Sequence, residues 1–281
     1  MSQTPATSVR HDHYAHGYAE PVMRAHSART AQTCFAYGLD RLRPGMSVLD
    51  VGCGPGTITA DIARLVAPGP VTGVDIEAAS LEQAREHARN LGVTNIDFQV
   101  MSGYELAFPD GTFDLTHTHM VLHHTSDPAA VLREMRRVTR PGGIVAARET
   151  DIPAVTWYPD SAGLARWREL FAESIRLGGG EPAAGRRLLS WAHQAGLTDI
   201  TCTAAATTYQ AGESATWIAT SWHDRLLGSA ITEELTKAGS TTMDELASVA
   251  QAWLDWAAHP DAWLMMPASE ILAVADGGQL N

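Results

Sequence analysis

The chain has 281 residues, 45% of them hydrophobic and 19% charged, with a formal net charge of −12. That length holds one large domain or a domain with a cap, and that charge excludes the basic stripe a nucleic-acid surface requires. Cys34, Cys53 and Cys202 are too far apart for a disulfide framework or a metal pair, no apolar run reaches membrane length and the N-terminus lacks a signal-peptide core, so the expectation is a cytoplasmic protein that binds neither nucleic acid nor membrane.

Residues 1 to about 12 are polar and predict disorder. The next stretch, His11-Asp12-His13-Tyr14-Ala15-His16-Gly17-Tyr18, gathers three histidines and two tyrosines in eight residues. Without a thiolate or a second-site partner nearby, it predicts no metal. A helix is expected from about Glu20 to Leu42, stopping at Pro44-Gly45.

The chain then turns on Val48-Leu49-Asp50-Val51-Gly52-Cys53-Gly54-Pro55-Gly56-Thr57. A β-branched apolar run breaks into three glycines at alternate positions and enters the helical pattern Ile58-Thr59-Ala60-Asp61-Ile62-Ala63. Strand, tight loop and helix start follow, and such a loop presents free N–H groups to a ligand. A dinucleotide fold wants G-x-G-x-x-G/A. Here the third glycine falls one place early and Thr57 stands where Gly or Ala is expected. A second strand, Pro70 to Asp75, ends on an acid 23 residues after Gly52. Asp75 is placed to accept from the two ribose hydroxyls of an adenosine; its plainer alternative is the N-cap of the next helix.

At these residues the chain resembles the class I S-adenosylmethionine (SAM)-dependent methyltransferases, in particular the small-molecule branch typified by the ubiquinone/menaquinone-biosynthesis enzymes. The resemblance covers roughly 40–150 and includes Phe113-Asp114, then Leu122-His123-His124 before Asp127-Pro128, in the family's order. It implies SAM as cofactor, with Gly52, Gly54 and Gly56 beneath the methionyl part and Ile76 against the adenine. Asp50 either braces the loop or touches the ligand. The family usually has aspartate at position 102; Ser102 departs from that, leaving its hydroxyl and the Gly103 N–H to meet the adenine beside Tyr104. The resemblance also implies an N-terminal lid, with Tyr14 and Tyr18 as candidates over the cofactor or acceptor, against ordinary helix packing. His119 sits where a side chain looks toward the transferred methyl and is the preferred acid/base or orienting residue, with His117 deeper on the same face. His124 is placed near the cofactor, though the His123-His124 doublet reads as mainly structural. Glu149 and Asp151 are alternatives on the acceptor side.

After the loop, helix 57–67, strand 70–76, helix 78–91, strand 95–101, strand 113–122, helix 127–139 and strand 143–149 alternate, which predicts a doubly wound, Rossmann-like α/β fold. Arg133, Arg136, Arg137 and Arg140 on the last of those helices read as a solvated face. Beyond 150, helices at 160–178 and 183–195 precede a strand at 198–209, a helical block at 213–258 and a final strand near 262–275. The division expected is a lid at 1–42, a methyltransferase core at 43–210, a helical cap at 211–261 and a last strand with tail at 262–281. The sheet is expected to have seven strands, mostly parallel, with the last antiparallel. All eight tryptophans fall in the second half. Most should pack the core; Trp157 and Trp222 are assigned to an acceptor pocket, whose aromatic wall favours a flat, apolar molecule.

The expected activity is methyl transfer to a carbon, oxygen or nitrogen of an apolar, aromatic small molecule in specialised metabolism. A quinone or isoprenoid C-methyltransferase, a nicotinamide-dependent oxidoreductase and a non-catalytic SAM-binding module are the alternatives. Thr57 and the sole lysine, Lys237, speak against the oxidoreductase. A homodimer is compatible with the sequence.

Overall fold

The computed structural model describes Ser27 and residues 29–275. Tyr14 and Tyr18 lie outside the described residues, as do the histidine-rich stretch and the start of the expected 20–42 helix. What is described of that helix is broken. Thr30 caps a four-residue helix, α1 (Ala31–Cys34), through a reciprocal capping box with Thr33. The chain then turns at Phe35 into a 3-10 helix over Ala36–Arg41. The turn lets Phe35 bury completely, with its ring 4.6 Å from that of His117, while Gly38 gives that ring room where a Cβ would collide.

Eight strands form one sheet among the described residues: β1 (Val48–Val51), β2 (Val71–Asp75), β3 (Ile96–Val100), β4 (Phe113–His119), β5 (Thr139–Thr150), β6 (Thr156–Tyr158), β7 (Thr198–Gln210) and β8 (Trp263–Val274). The order runs β3-β2-β1-β4-β5-β8, with β7 on the far side of β8. Strands β1 to β5 are parallel and β8 is antiparallel to β5 and β7. The strand beyond the expected seven is β6, three residues that continue the line of β5 along one edge of β8.

Helices α2 (Thr57–Val66), α3 (Ala78–Asn90), α4 (Pro128–Val138) and α6 (Ala184–Gln194) cover the sheet. Alternate strand residues supply the two faces. Val48, Val71, Leu115, Ala146 and Leu272 pack with Ile58 and Ile62 of α2, whereas Leu49, Val51, Val74, Val145 and Ile271 pack with α4 and α6. Asp127 caps α4 ahead of Pro128, and Glu77, not Asp75, caps α3.

The helical half has its own core. Helices α5 (Ala162–Leu177), α7 (Glu213–Gly228), α8 (Ala230–Lys237) and α9 (Met243–Ala257) enclose Trp167, Trp222, Trp253, Trp256 and Phe171. Ring centroids there lie 4.7 to 6.2 Å apart, and such aromatic pairs contribute about 0.5–1.5 kcal/mol each beyond their buried area. This cluster takes in α5, which the expected boundary at 211 leaves with the core.

The arginines of α4, with Arg140 at the start of β5, are not simply a solvated face. Arg137 donates to the carbonyls of Leu106 and Phe108 and pairs with Asp110 and Glu134; Arg136 donates to the Ala275 and Ala195 carbonyls; Arg140 pairs with Asp114. The Arg136 and Arg137 guanidiniums reach carbonyls of the 104–112 loop, of the residue that ends α6 and of the residue after β8. No described helix is long and apolar enough to cross a membrane.

Candidate functional site

Two cavities meet at the carboxyl ends of the strands, where ligands bind in open α/β sheets. The first, about 170 Å³, is formed by the glycine loop, Asp75, Ile76, Met101 to Tyr104 and the end of β4. The loop is held by β2, since the Gly52 and Cys53 N–H groups both donate to the Val74 carbonyl, at 2.8 and 3.0 Å. Gly52 requires glycine twice over, with a φ of 71° and only 2.3 Å between a built Cβ and the Val121 side chain. At Gly54, also left-handed, a Cβ would meet no neighbour within 4 Å, so the backbone there faces open space.

Asp75 links the second strand to this loop. Its Oδ2 accepts from the Gly54 N–H at 2.9 Å and its Oδ1 from the Glu77 N–H at 3.0 Å. Each oxygen keeps a further lone pair for ligand hydroxyls. Burial pushes the Asp75 carboxyl up from its ordinary 3.8, against the lowering pull of the Glu77, Gly54 and Ile76 amides. Ile76 beside it is 54% exposed, an apolar wall turned to solvent. Ser102 accepts from the Tyr104 N–H at 3.3 Å, and the Tyr104 hydroxyl accepts from the Asp127 N–H at 3.2 Å. Burial pushes the Cys53 thiol up, with the Asp50 and Asp75 carboxylates adding to the effect.

Beneath the loop lies a buried polar brace. Register sets Asp50 beside His117, and Asp50 accepts from Thr59 Oγ1 at 2.6 Å while its other oxygen meets His117 Nδ1 at 2.8 Å. Both residues are almost wholly buried.

The second cavity is larger, about 410 Å³, and shares Arg29, His119, Met120 and His124 with the first. Its floor is one face of the sheet: Arg148 and Thr150 of β5, Met266 and Ala268 of β8, Thr207 and Tyr209 of β7. Opposite lie Phe171 and one stripe of α7, consisting of Trp217, Ile218, Ser221, Trp222 and Arg225. Register places His119 beside Arg148 and Arg148 beside Glu270, with 3.6 Å between Arg148 Nε and the Glu270 carboxylate. At the shared boundary Met120 holds a φ of 57°, a conformation uncommon outside glycine and concentrated at functional sites.

Glu149 does not reach either cavity. It is fully buried, accepts from the Val121 and Leu122 N–H groups at 2.8 and 2.6 Å, and meets His123 Nδ1 at 2.6 Å. It therefore fixes the bend that carries His123 and His124, whose rings lie 3.8 Å apart. Asp151 is engaged by Arg186. Trp222 lines the second cavity. Trp157 does not, and lies under Arg168 at a separate surface groove. The sequence reading missed Arg29, Met120, Arg148, Tyr209, Trp217, Ser221 and Arg225; spacing along α7 is the one signal that could have exposed part of this set. Among the described residues no cluster of histidine, cysteine or carboxylate side chains could hold a metal.

The family model for a methyltransferase domain matches residues 42–196. An uncharacterized methyltransferase of Schizosaccharomyces pombe is 35% identical over 87% of this chain and 90% of its own length. The ubiquinone/menaquinone biosynthesis C-methyltransferase of Escherichia coli is 36% identical over 123 residues, 43% of this chain and 49% of that one. The crystal structure of the YcgJ protein of Bacillus subtilis superposes with a TM-score of 0.59 at 18% identity, covering 88% of this chain and all of that one, which shows a shared fold. With motif order, sheet topology and a relative matched along most of its length in agreement, the chain belongs to the class I SAM-dependent methyltransferases.

Proposed function

We propose that this methyltransferase acts on a carbon or oxygen of an apolar, aromatic small molecule, in specialised metabolism, with His119 as the residue that assists removal of the acceptor's proton. The observation that supports it most is the shared wall: His119, Met120 and His124 border both the glycine-loop cavity and the aromatic-lined one. The residues present suit SAM, because Gly54 leaves backbone open to the cavity, Asp75 keeps acceptor capacity for two hydroxyls and Ile76 offers an apolar face. SAM supplies a methyl group already activated by its sulfonium.

The chain's own contribution is placement. Gly52 to Gly56 and Asp75 grip the two ends of the cofactor, with the Asp50–His117–Thr59 brace keeping the loop in shape. Trp217, Trp222, Tyr209 and Phe171 hold a flat acceptor, and proximity with orientation can lower the barrier by about 7–11 kcal/mol in favourable cases. Proton removal by a positioned imidazole contributes about 10²–10⁴-fold where the acceptor is a phenol or ring carbon. A non-catalytic SAM-binding module needs a filled acceptor pocket, and a cavity of about 410 Å³ beside His119 argues against that reading. A methyl-release assay with SAM across phenols, indoles and quinone precursors tests the proposal. Turnover of one of these classes is expected, whereas tight SAM binding without turnover of any of them would overturn it.

A further inference from the structure

Strand β7 lies at an edge of the sheet and is unusually long and bare for that place. It has 13 residues, ten of them exposed, and among the described residues it pairs with β8 alone. An open strand edge offers a row of N–H and C=O groups to any other strand, and edges are ordinarily guarded by charge, proline, a bulge or shortness. The register shift of β7 lies at its start, between Thr198 and Thr201. From Thr201 to Gln210 the pairing with β8 runs without interruption, and the sequence holds no charged residue and no proline.

The hydrogen bonds at the end of this strand show which backbone groups point outward. The Ala211 N–H donates to the Ala262 carbonyl, so that position faces inward to the neighbouring strand. Positions alternate along an antiparallel ladder, which turns Gln210 outward. There Ser214 Oγ accepts from the Gln210 N–H and donates to its C=O, at 2.9 Å each. Counting back through the unshifted register, Thr208, Ala206, Ala204 and Cys202 also turn their N–H and C=O away from β8. An open ladder remains, closed by Ser214 at one end and by the register shift at the other.

We propose that this edge is an interface with a second copy of the chain, the two β7 strands pairing antiparallel about a two-fold axis at Ala205. The edge complements itself fully in that register. With Ala205 opposite Ala205 of the second copy, Cys202 faces Thr208 and Ala204 faces Ala206, so every outward N–H meets an outward C=O. Sliding one strand by two residues sets Thr208 against Ile200, or Cys202 against the capped Gln210, and wastes part of the ladder. Between the hydrogen-bonded pairs Thr203 meets Thr207, a favourable cross-strand contact. Charge selects where two copies meet: chains of formal charge −12 repel, and this uncharged edge lets their backbones approach at the least cost. Thr207 and Tyr209 line the second cavity, so the strand of the second copy extends the floor of that cavity. The contact is at or below the low end of specific interfaces, about 1,200 Å² in total, and association is therefore reversible.

The test is sedimentation equilibrium of the full chain from about 1 to about 200 µM, a range suited to a contact of this size. A concentration-dependent mixture of monomer and dimer is expected. Ala206→Pro removes an outward donor that β8 does not use; it should weaken association by about tenfold or more and leave the affinity for S-adenosylhomocysteine unchanged. If that variant does not fold, Ala206→Lys carries the same prediction, because a lysine guards an edge by its charge. Cross-linking reads the register. Ala205→Cys combined with Cys202→Ser should give a disulfide-linked dimer under mild oxidation, since the two Cα atoms face each other at about 4.5 Å. Native Cys202, opposite Thr208, should give none. A chain that stays monomeric at about 200 µM, or a dimer indifferent to both Ala206 variants, overturns the proposal. Cross-linking through native Cys202, with none in the Ala205→Cys variant, overturns the axis at Ala205.

Discussion

The two cavities that meet at His119 are built in different ways. The first is made chiefly of a glycine bend and strand ends, with the Asp75 carboxylate tying β2 to the bend. The second is made of side chains from α1, α5, α7 and four strands, widely separated along the chain. A site made of backbone tolerates little variation, because a left-handed φ and a missing Cβ cannot be supplied by other residues. A site made of side chains can be rewritten one position at a time on an unchanged frame.

Four substitutions probe that difference, taken from the largest expected effect. His119→Ala should cut turnover by about 10²–10⁴-fold while SAM affinity changes little; unchanged turnover in a steady-state assay would take His119 out of the chemistry. Trp253→Ala, at a fully buried position in the helical core, should cost about 3–5 kcal/mol in denaturant unfolding. The damage should fall on the helical half, so acceptor binding should be lost at lower denaturant than SAM binding. Coincident loss of both would show that the two regions unfold as one.

Asp75→Asn should weaken SAM by about 10–100-fold, the effect of exchanging charge-assisted hydrogen bonds for neutral ones. The pH dependence has a definite sign. Burial raises the Asp75 carboxyl above 3.8, and ribose hydroxyls donate to the ionised form, so SAM affinity should fall as pH drops through that raised value. In the free protein the sign is reversed: a raised carboxyl contributes stability at low pH that is lost as pH rises through its folded-state value. The Asn variant should show neither trend, and a wild-type affinity with the same acid-side pH profile as the Asn variant would contradict the assignment. The smallest effect is expected for Arg137→Ala. It removes the fork that holds the 104–112 loop to α4 and should cost about 1–2 kcal/mol in thermal unfolding. SAM affinity should drop only slightly, through Tyr104.

Legibility from sequence followed the same division. The glycine spacing, the acid ending β2 and the strand–helix alternation could be read because each expresses a local backbone requirement over a few residues. Boundaries came within a few residues for most elements, as with α3 at Ala78–Asn90 against an expected 78–91. The break at Phe35 was not readable, since it depends on His117 and Gly38 offering room for a ring. Glu149 stands at the end of β5, as a residue on the acceptor side should, but the bend 121–124 draws it inward as a support. Arg136 and Arg137 of α4 have surface spacing but reach carbonyls of distant segments, and a helical wheel shows only the first. Arg148 and Arg225 enter the second cavity through sheet register and helix packing, neither of which is written in any short stretch of sequence. Trp222 could be named from composition; Ser221 beside it could not.

The central claim is that one SAM molecule spans from Asp75 to the glycine bend with its methyl at the opening between the two cavities. A crystal structure of the full chain with S-adenosylhomocysteine tests it most directly. The account predicts ribose hydroxyls on the Asp75 carboxylate, the amino-acid end against Gly52 to Gly56, and the sulfur facing the His119–Met120 boundary. A sulfur turned away from that boundary, or a cofactor seated elsewhere with Asp75 still bonded only to Gly54 and Glu77, would contradict it.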